Sequence, residues 1–183
     1  MICLGCLHAA RSHLCGGCRG ALLDAPPRLV GSSLIVRPAF RHDGLARRLV
    51  HDLKYRGVVT VAAALAPAMA RQLPAAARML VPIPRVLTRR LRIGVDPGRE
   101  LARAMAAQTG LPVVTGLAAS LWQPGHAGRA RAGRRPVRFR PRRPVAGAVI
   151  VDDVITTGAT LDAAACALGP GCIGGVTATG AGV

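Results

Sequence analysis

Aromatic side chains are nearly missing from this 183-residue chain: two phenylalanines, one tyrosine and one tryptophan make up 2% of it. Aliphatic residues must therefore fill any core, and there is little ring surface on which bases could stack. Acids are scarce as well. Eight Asp and Glu stand against 25 Lys and Arg, for a formal net charge of +17, and Lys54 is the sole lysine, so 25 − 1 = 24 are arginines. A GC-rich coding sequence accounts for part of that preference, but the balance still favours polyanionic partners such as nucleic acid or pyrophosphate, with binding that weakens in salt. A solvated basic surface is the competing reading. Long apolar runs are lacking too. The most apolar stretch, 58–70, is too short to span a bilayer and contains Pro67. The opening MICLGCLHAA has no charged region ahead of a long apolar one. No membrane insertion is expected, and the protein reads as cytoplasmic.

What is present supports one α/β domain with a small appendage, since 51% of the chain is hydrophobic. Cys3, Cys6, Cys15 and Cys18 form two C-x2-C pairs with eight residues between them. Reduced thiolates at this spacing can close a tetrahedral zinc site, with Gly5, Gly16 and Gly17 freeing backbone N–H groups to face sulfur. His8 or His13 could replace a cysteine at a frayed terminus, and a redox C-x-x-C or unrelated free thiols are the alternatives. Four cysteines leave no open coordination position, so the zinc reading is structural. Cys166 and Cys172 read as small buried hydrophobes. The breaker cluster DAPP at 24–27 ends the knuckle, which divides the chain into a four-cysteine zinc knuckle at 1–27 and a second domain at 28–183.

Along that second domain, composition predicts a strand over 33–40 and a helix over 44–56. Leu45, Leu49 and Leu53 share one face of this helix, and Arg47, Arg48, His51 and Lys54 lie opposite. A further helix over 58–72 ends at Pro74. Residues 79–83 form a strand running into VPIP, after which Arg85, Arg89, Arg90 and Arg92 follow with no acid until Asp96. Those arginines either neutralise a pyrophosphate or belong to a solvated loop. A helix over 97–110 stops at Gly110, and a short strand covers 111–117. Residues 121–144 carry eight arginines from Arg129 to Arg143 and no acid. This segment reads as a mobile loop serving as a lid or a nucleic-acid arm, with Trp122 anchoring its base. A helix over 161–168 and a strand over 173–179 close the chain. Strands alternating with helices from residue 79 onward predict a parallel sheet with right-handed crossovers.

The most informative stretch is 149–160, VIVDDVITTGAT. Val149, Ile150 and Val151 suit a strand buried on both faces of a parallel sheet. Asp152 and Asp153 then fall where the backbone leaves the sheet, and can accept hydrogen bonds from vicinal hydroxyls or hold magnesium. Thr156, Thr157, Gly158, Ala159 and Thr160 offer hydroxyls and a helix N-terminus to an anion, with Gly158 allowing close approach. A sugar with a phosphate at one end and hydroxyls at the other matches this order of groups.

Extended to AVIVDDVITTGAT from Ala148, the stretch resembles the phosphoribosyl pyrophosphate (PRPP) motif of type I phosphoribosyltransferases. Together with the four-cysteine knuckle, LVHDLKYRG at 49–57 and the VPIP strand end, it makes nearly the whole chain resemble the competence protein F (ComF) family. That resemblance implies a type I phosphoribosyltransferase-like parallel sheet flanked by helices, behind a small zinc knuckle. It implies structural zinc, magnesium bound with PRPP, and a link to uptake of single-stranded DNA. Asp152 and Asp153 would be the catalytic pair, residues 156–160 the 5′-phosphate loop, and Arg85, Arg89 and Arg134 the candidates for covering pyrophosphate. Two segments depart from the family pattern. Ile93-Gly94-Val95-Asp96-Pro97 stands where relatives carry an RGFNQ-like run, leaving Arg92 as the nearest substitute. His126-Ala127-Gly128 and Arg134-Arg135-Pro136-Val137 stand where relatives show Gln-Ala-Gly and Arg-x-x-Asn. Two functions follow as expectations. One is phosphoribosyl transfer to an unidentified acceptor with loss of pyrophosphate. The other is a non-catalytic PRPP sensor that holds single-stranded DNA or a competence helicase.

Overall fold

The computed structural model describes residues 1–84, 94–119 and 138–182. In chain order these form α1 (Gly16–Gly20), β1 (Arg28–Val30), β2 (Leu34–Arg41), α2 (Gly44–Arg56), α3 (Thr60–Arg71) and β3 (Met79–Pro82). There follow α4 (Pro97–Thr109), β4 (Leu117–Ala119), β5 (Phe139–Pro141), β6 (Ala148–Ile155), α5 (Ala159–Leu168), a 3-10 turn at Gly169–Gly171 and β7 (Cys172–Gly180).

Among the described residues the main sheet runs β1-β2-β7-β6-β3. β2, β7, β6 and β3 are parallel, and only the edge strand β1 is antiparallel. The unbroken apolar run of β6 explains its central place, because both of its faces are covered. Val149 and Val151 enter a core with Leu49, Leu53, Leu65, Met69, Leu101 and Met105 of α2, α3 and α4. Ala148 and Ile150 enter a second core with Leu161, Ala164 and Leu168 of α5. The expected α/β architecture, a mostly parallel sheet flanked by helices, is what forms. Its filling is aliphatic, as the shortage of rings requires; Phe40 is the one aromatic side chain among the buried core residues described.

Several boundaries differ from expectation. The strand read over 111–117 shrinks to a single bridge, Val113 to Leu80. Leu80 donates to the Pro112 carbonyl, but Pro112 has no N–H with which to extend the ladder. β4 forms only at the end of that stretch and pairs with β5, so residues 139–141 of the segment read as a loop are a strand. β1, only three residues long, carries no periodic signal from which a strand could be expected. Pro67 lies inside α3, on its exposed side, without ending it. Cys172 is half-buried, but Cys166 is exposed, because α5 turns Leu161, Ala164 and Leu168 to the sheet and residue 166 away from it. Among the described residues no helix is long and apolar enough to cross a membrane.

The knuckle packs directly on the main core: Cys3, Leu14 and Leu22 belong to the same buried cluster as Ala46 and Leu49 of α2. At the other end of the sheet, α4 approaches so closely that a Cβ on Gly98 would stand 3.2 Å from both the Ile83 and Val151 carbonyl oxygens. Those oxygens belong to backbone that cannot move aside cheaply. Gly98→Val should therefore destabilise the protein by roughly 1–3 kcal/mol in urea unfolding. An unchanged midpoint would show that α4 does not pack as described.

Candidate functional site

Two groups of chemically competent side chains emerge. The first is the knuckle. The Sγ atoms of Cys3, Cys6, Cys15 and Cys18 all lie within 4.8 Å of one another, and Cys6 Sγ stands 3.8 Å from Cys15 Sγ. Four sulfurs about 2.3 Å from a tetrahedral zinc would be separated by about 3.8 Å, so the arrangement fits such an ion. The backbone supports thiolates: Gly5 N–H and Cys15 N–H donate to Cys3 Sγ at 3.4 and 3.2 Å, and Cys18 N–H donates to Cys15 Sγ at 3.5 Å. Donation from Cys15, then from Cys6, pulls the Cys3 thiol down to about 6, while the neighbouring Cys15 sulfur pushes Cys18 up to about 12. A divalent metal bound there would displace the thiol protons. His8 and His13 are not in the cluster. Of the three glycines expected to matter, only Gly5 is sterically required: a Cβ there would run into Cys18 Sγ, whereas Gly16 and Gly17 have nothing within 4 Å.

The second group lies at the C-terminal ends of the parallel strands, in a cleft of 520 Å³ lined by α2, the start of α4 and the end of β6. β6 runs through both acids to Ile155, paired as far as Gly180 of β7, so the chain leaves the sheet at Thr156 and not at Asp152. Asp153 stands against α2, where Lys54 meets it. Both acids line the cleft.

Their environments differ. Asp153 is buried, and its two oxygens receive Lys54 Nζ at 3.0 and 2.9 Å. Helical spacing assigns Lys54 to the outer face of α2. In fact it stands beside Leu53 and Val50 at the margin of the buried stripe, with a stem long enough to reach the strand end. Asp152 accepts from the Asp153 N–H at 2.9 Å. Burial, then the neighbouring Asp153 charge, raises Asp152 from the ordinary 3.8 to about 8. Both effects favour its protonated form.

Beyond the acids, residues 152 and 154–161 surround a small recess of 30 Å³ at the N-terminus of α5. Thr156 and Thr160 line both this recess and the main cleft. Thr157 Oγ1 accepts from the Ala159 N–H at 3.4 Å, giving the turn a local brace. Gly158 has a φ of 83°, and a Cβ there would strike the Val30 side chain at 2.7 Å. Its smallness therefore admits β1, a neighbour the sequence alone does not reveal, and it supplies the left-handed turn. On the far wall Asp96 caps α4 by accepting from the Arg99 N–H at 3.4 Å.

Several lining residues escape the sequence reading. His42 follows β2, and its Nδ1 lies 2.7 Å from Thr179 Oγ1. His51 and Tyr55, whose ring centroids are 4.6 Å apart, stand at the α2 wall, with Phe139 also lining the cleft. Two of the four aromatic residues thus gather at one site. The only hint is the i, i+4 spacing of His51 and Tyr55 on a helix already assigned. Arg85, Arg89, Arg92, Trp122, His126 and Arg134 lie outside the described residues. No protein-family model matches this chain, and no curated protein matches it either.

Metal analysis of protein purified without chelator should find about one zinc per chain, lost with chelator together with a fall in melting temperature. Less than about a tenth of that stoichiometry would remove the structural zinc reading. A second outcome follows from Asp152. The native state keeps a proton that the unfolded chain releases above 3.8, so the unliganded protein loses stability as pH rises from 3.8 to about 8. Asp152→Asn keeps the acceptor oxygen without that loss. Its gain in urea unfolding should be largest at the upper end of this window and vanish at the lower, and an equal gain at both ends would contradict the assignment.

Proposed function

We propose that the chain is a ComF-like, type I phosphoribosyltransferase-like protein that binds PRPP and transfers its phosphoribosyl group to an acceptor, releasing pyrophosphate. The observation that carries this reading is the C-terminal end of β6 with the turn that follows it. There, two carboxylates of unlike environment open onto a cleft of 520 Å³, and a 30 Å³ recess continues from it to the N-terminus of α5. The size and order of these groups suit hydroxyls at the acids and a 5′-phosphate at residues 156–160, where hydroxyls and a ten-residue helix face the anion. Lys54 and Arg47 add positive charge around the acids.

In this reading Asp152 exchanges its proton for interaction with the ribose hydroxyls and the cation that accompanies PRPP. As an oxygen donor in a cleft it suits magnesium. Magnesium bound there would neutralise pyrophosphate and stabilise the departing oxygen. Asp153, fixed by Lys54 at the end of β6, would face the anomeric carbon as positive charge develops there, a preorganised electrostatic contribution. The segments after Pro84 and before β5 carry Arg85, Arg89 and Arg134, which would cover the leaving group.

A second reading, a PRPP sensor without turnover that holds single-stranded DNA or a competence helicase, draws on the exposed basic residues Arg41 and Arg47, the latter on the cleft wall. Calorimetry and a pyrophosphate-release assay separate the two. Wild-type protein with PRPP and magnesium should give binding heat that the Asp152→Asn, Asp153→Asn double variant loses by at least about tenfold in affinity, or about 1.4 kcal/mol. Unchanged binding in the double variant would remove the pocket assignment. Binding without pyrophosphate release, across bases, amines and nucleic acids, would favour the sensor.

A further inference from the structure

Transfer of a phosphoribosyl group to an acceptor X–H forms a C1′–X bond and breaks the C1′–O bond to pyrophosphate, which leaves with the electron pair. The proton on X must also depart. Neither carboxylate is well placed to take it, because Asp153 is committed to Lys54 and Asp152 faces the sugar hydroxyls in the reading above. We propose that His42 Nε2 receives this proton, an inference that rests on the phosphoribosyl-transfer reading and names a catalytic residue for it.

Three observations carry the assignment. The first is position. β6 lies between β3 on one side and β7, then β2, on the other. Ile83 and Pro84 line the cleft at the β3 end, and His42 lines it on the opposite side, that of β7 and β2, with the acids of β6 between. The proposed displacement is in line along this direction, with the leaving group towards β3 and the nucleophile towards His42. The second is fixation: the His42 N–H donates to the Gly180 carbonyl at 2.8 Å, and Nδ1 meets Thr179 Oγ1 at 2.7 Å. The third is the tautomer. Thr179 Oγ1 has the Asp153 carbonyl at 3.5 Å as an acceptor for its hydrogen, which lets it accept from His42 Nδ1 at 2.7 Å. The proposed tautomer is this one, with the hydrogen on Nδ1 and Nε2 as the basic nitrogen.

The surroundings favour the neutral ring. Burial lowers the His42 value most, followed by the cations Arg47 and Lys54 of α2, against the opposing charges of Asp153 on β6 and Asp43 ahead of α2; His51 shares the cleft wall. A base with a value below the ordinary 6.5 is in its working form at neutral pH.

Water can serve as the probe acceptor, which avoids any need to know the physiological one. Pyrophosphate release from PRPP and magnesium in buffer should rise with pH through a limb below 6.5 in the wild type. His42→Asn retains an N–H donor at the Nδ1 position for Thr179 but has no base. It should lose that limb and about 100-fold in rate or more, with PRPP binding heat unchanged. The tautomer is read independently in the wild type by nitrogen-15 NMR, with Nδ1–H as the expected form. A variant that keeps the limb and the rate, an Nε2–H tautomer, or binding heat without wild-type release would each overturn the proposal. Absence of PRPP heat in the wild type would instead strike the transfer reading itself and take this inference with it.

Discussion

Two like charges on adjacent residues at the end of a buried strand are the constraint around which this protein is arranged. The Asp153 charge disfavours ionisation of Asp152, and burial adds to the penalty. The protein answers each member differently. Asp153 receives the ammonium of Lys54, while burial and its neighbour push Asp152 towards its protonated form. The first answer is built by packing α2 against the sheet, and the second depends on pH.

The choice of cation is informative in a chain with 24 arginines and one lysine. A guanidinium is a rigid fork that suits bidentate pairing and carries its charge over a wide plane. An ammonium is a compact charge on a flexible stem, able to serve both oxygens of Asp153 from the margin of α2 while remaining 25% exposed. Around this pair the cleft walls come from elements distant in sequence. α2 supplies the cation, α4 fits against β3 and β6 only because residue 98 has no side chain, and the turn after β6 is backed by Val30. The site is thus a product of tertiary packing at one sheet edge more than of any single motif.

The parts of the molecule that were legible in the sequence are those governed by local rules. The α4 boundaries follow from Asp96 as cap, Pro97 in the first turn and Gly110 in the left-handed conformation. The α2 boundaries coincide with the predicted span. The cysteine cluster follows from spacing, and β6 from its apolar run. Contacts bridging long separations were not legible: Lys54 to Asp153 spans 99 residues and His42 to Thr179 spans 137. Periodicity assigns Lys54 to a face, but it cannot say how far a long side chain at the edge of that face will reach. It also offers no reason to single out His42, whose polar partner lies on the last strand. Short elements failed for a different reason. Three-residue strands such as β1 and β5 carry too little pattern to stand out, and Pro112 interrupts the next candidate.

The four-cysteine segment is joined to the rest of the molecule more firmly than an appendage would be. Arg48 of α2 donates through Nη2 to the Leu4 and Gly5 carbonyls, Arg41 N–H donates to the Leu23 carbonyl, and Leu14 and Leu22 share a core with Leu49. The helix that delivers Lys54 to the acids is therefore seated, at its other end, on the loop between the first two sulfurs. Trimming the chain to begin at residue 28 would not release an independent unit. It would strip the footing from α2, bare the underside of its apolar stripe, and unseat the lysine from below. Whatever the cysteines hold, they act as the foundation of one wall of the cleft.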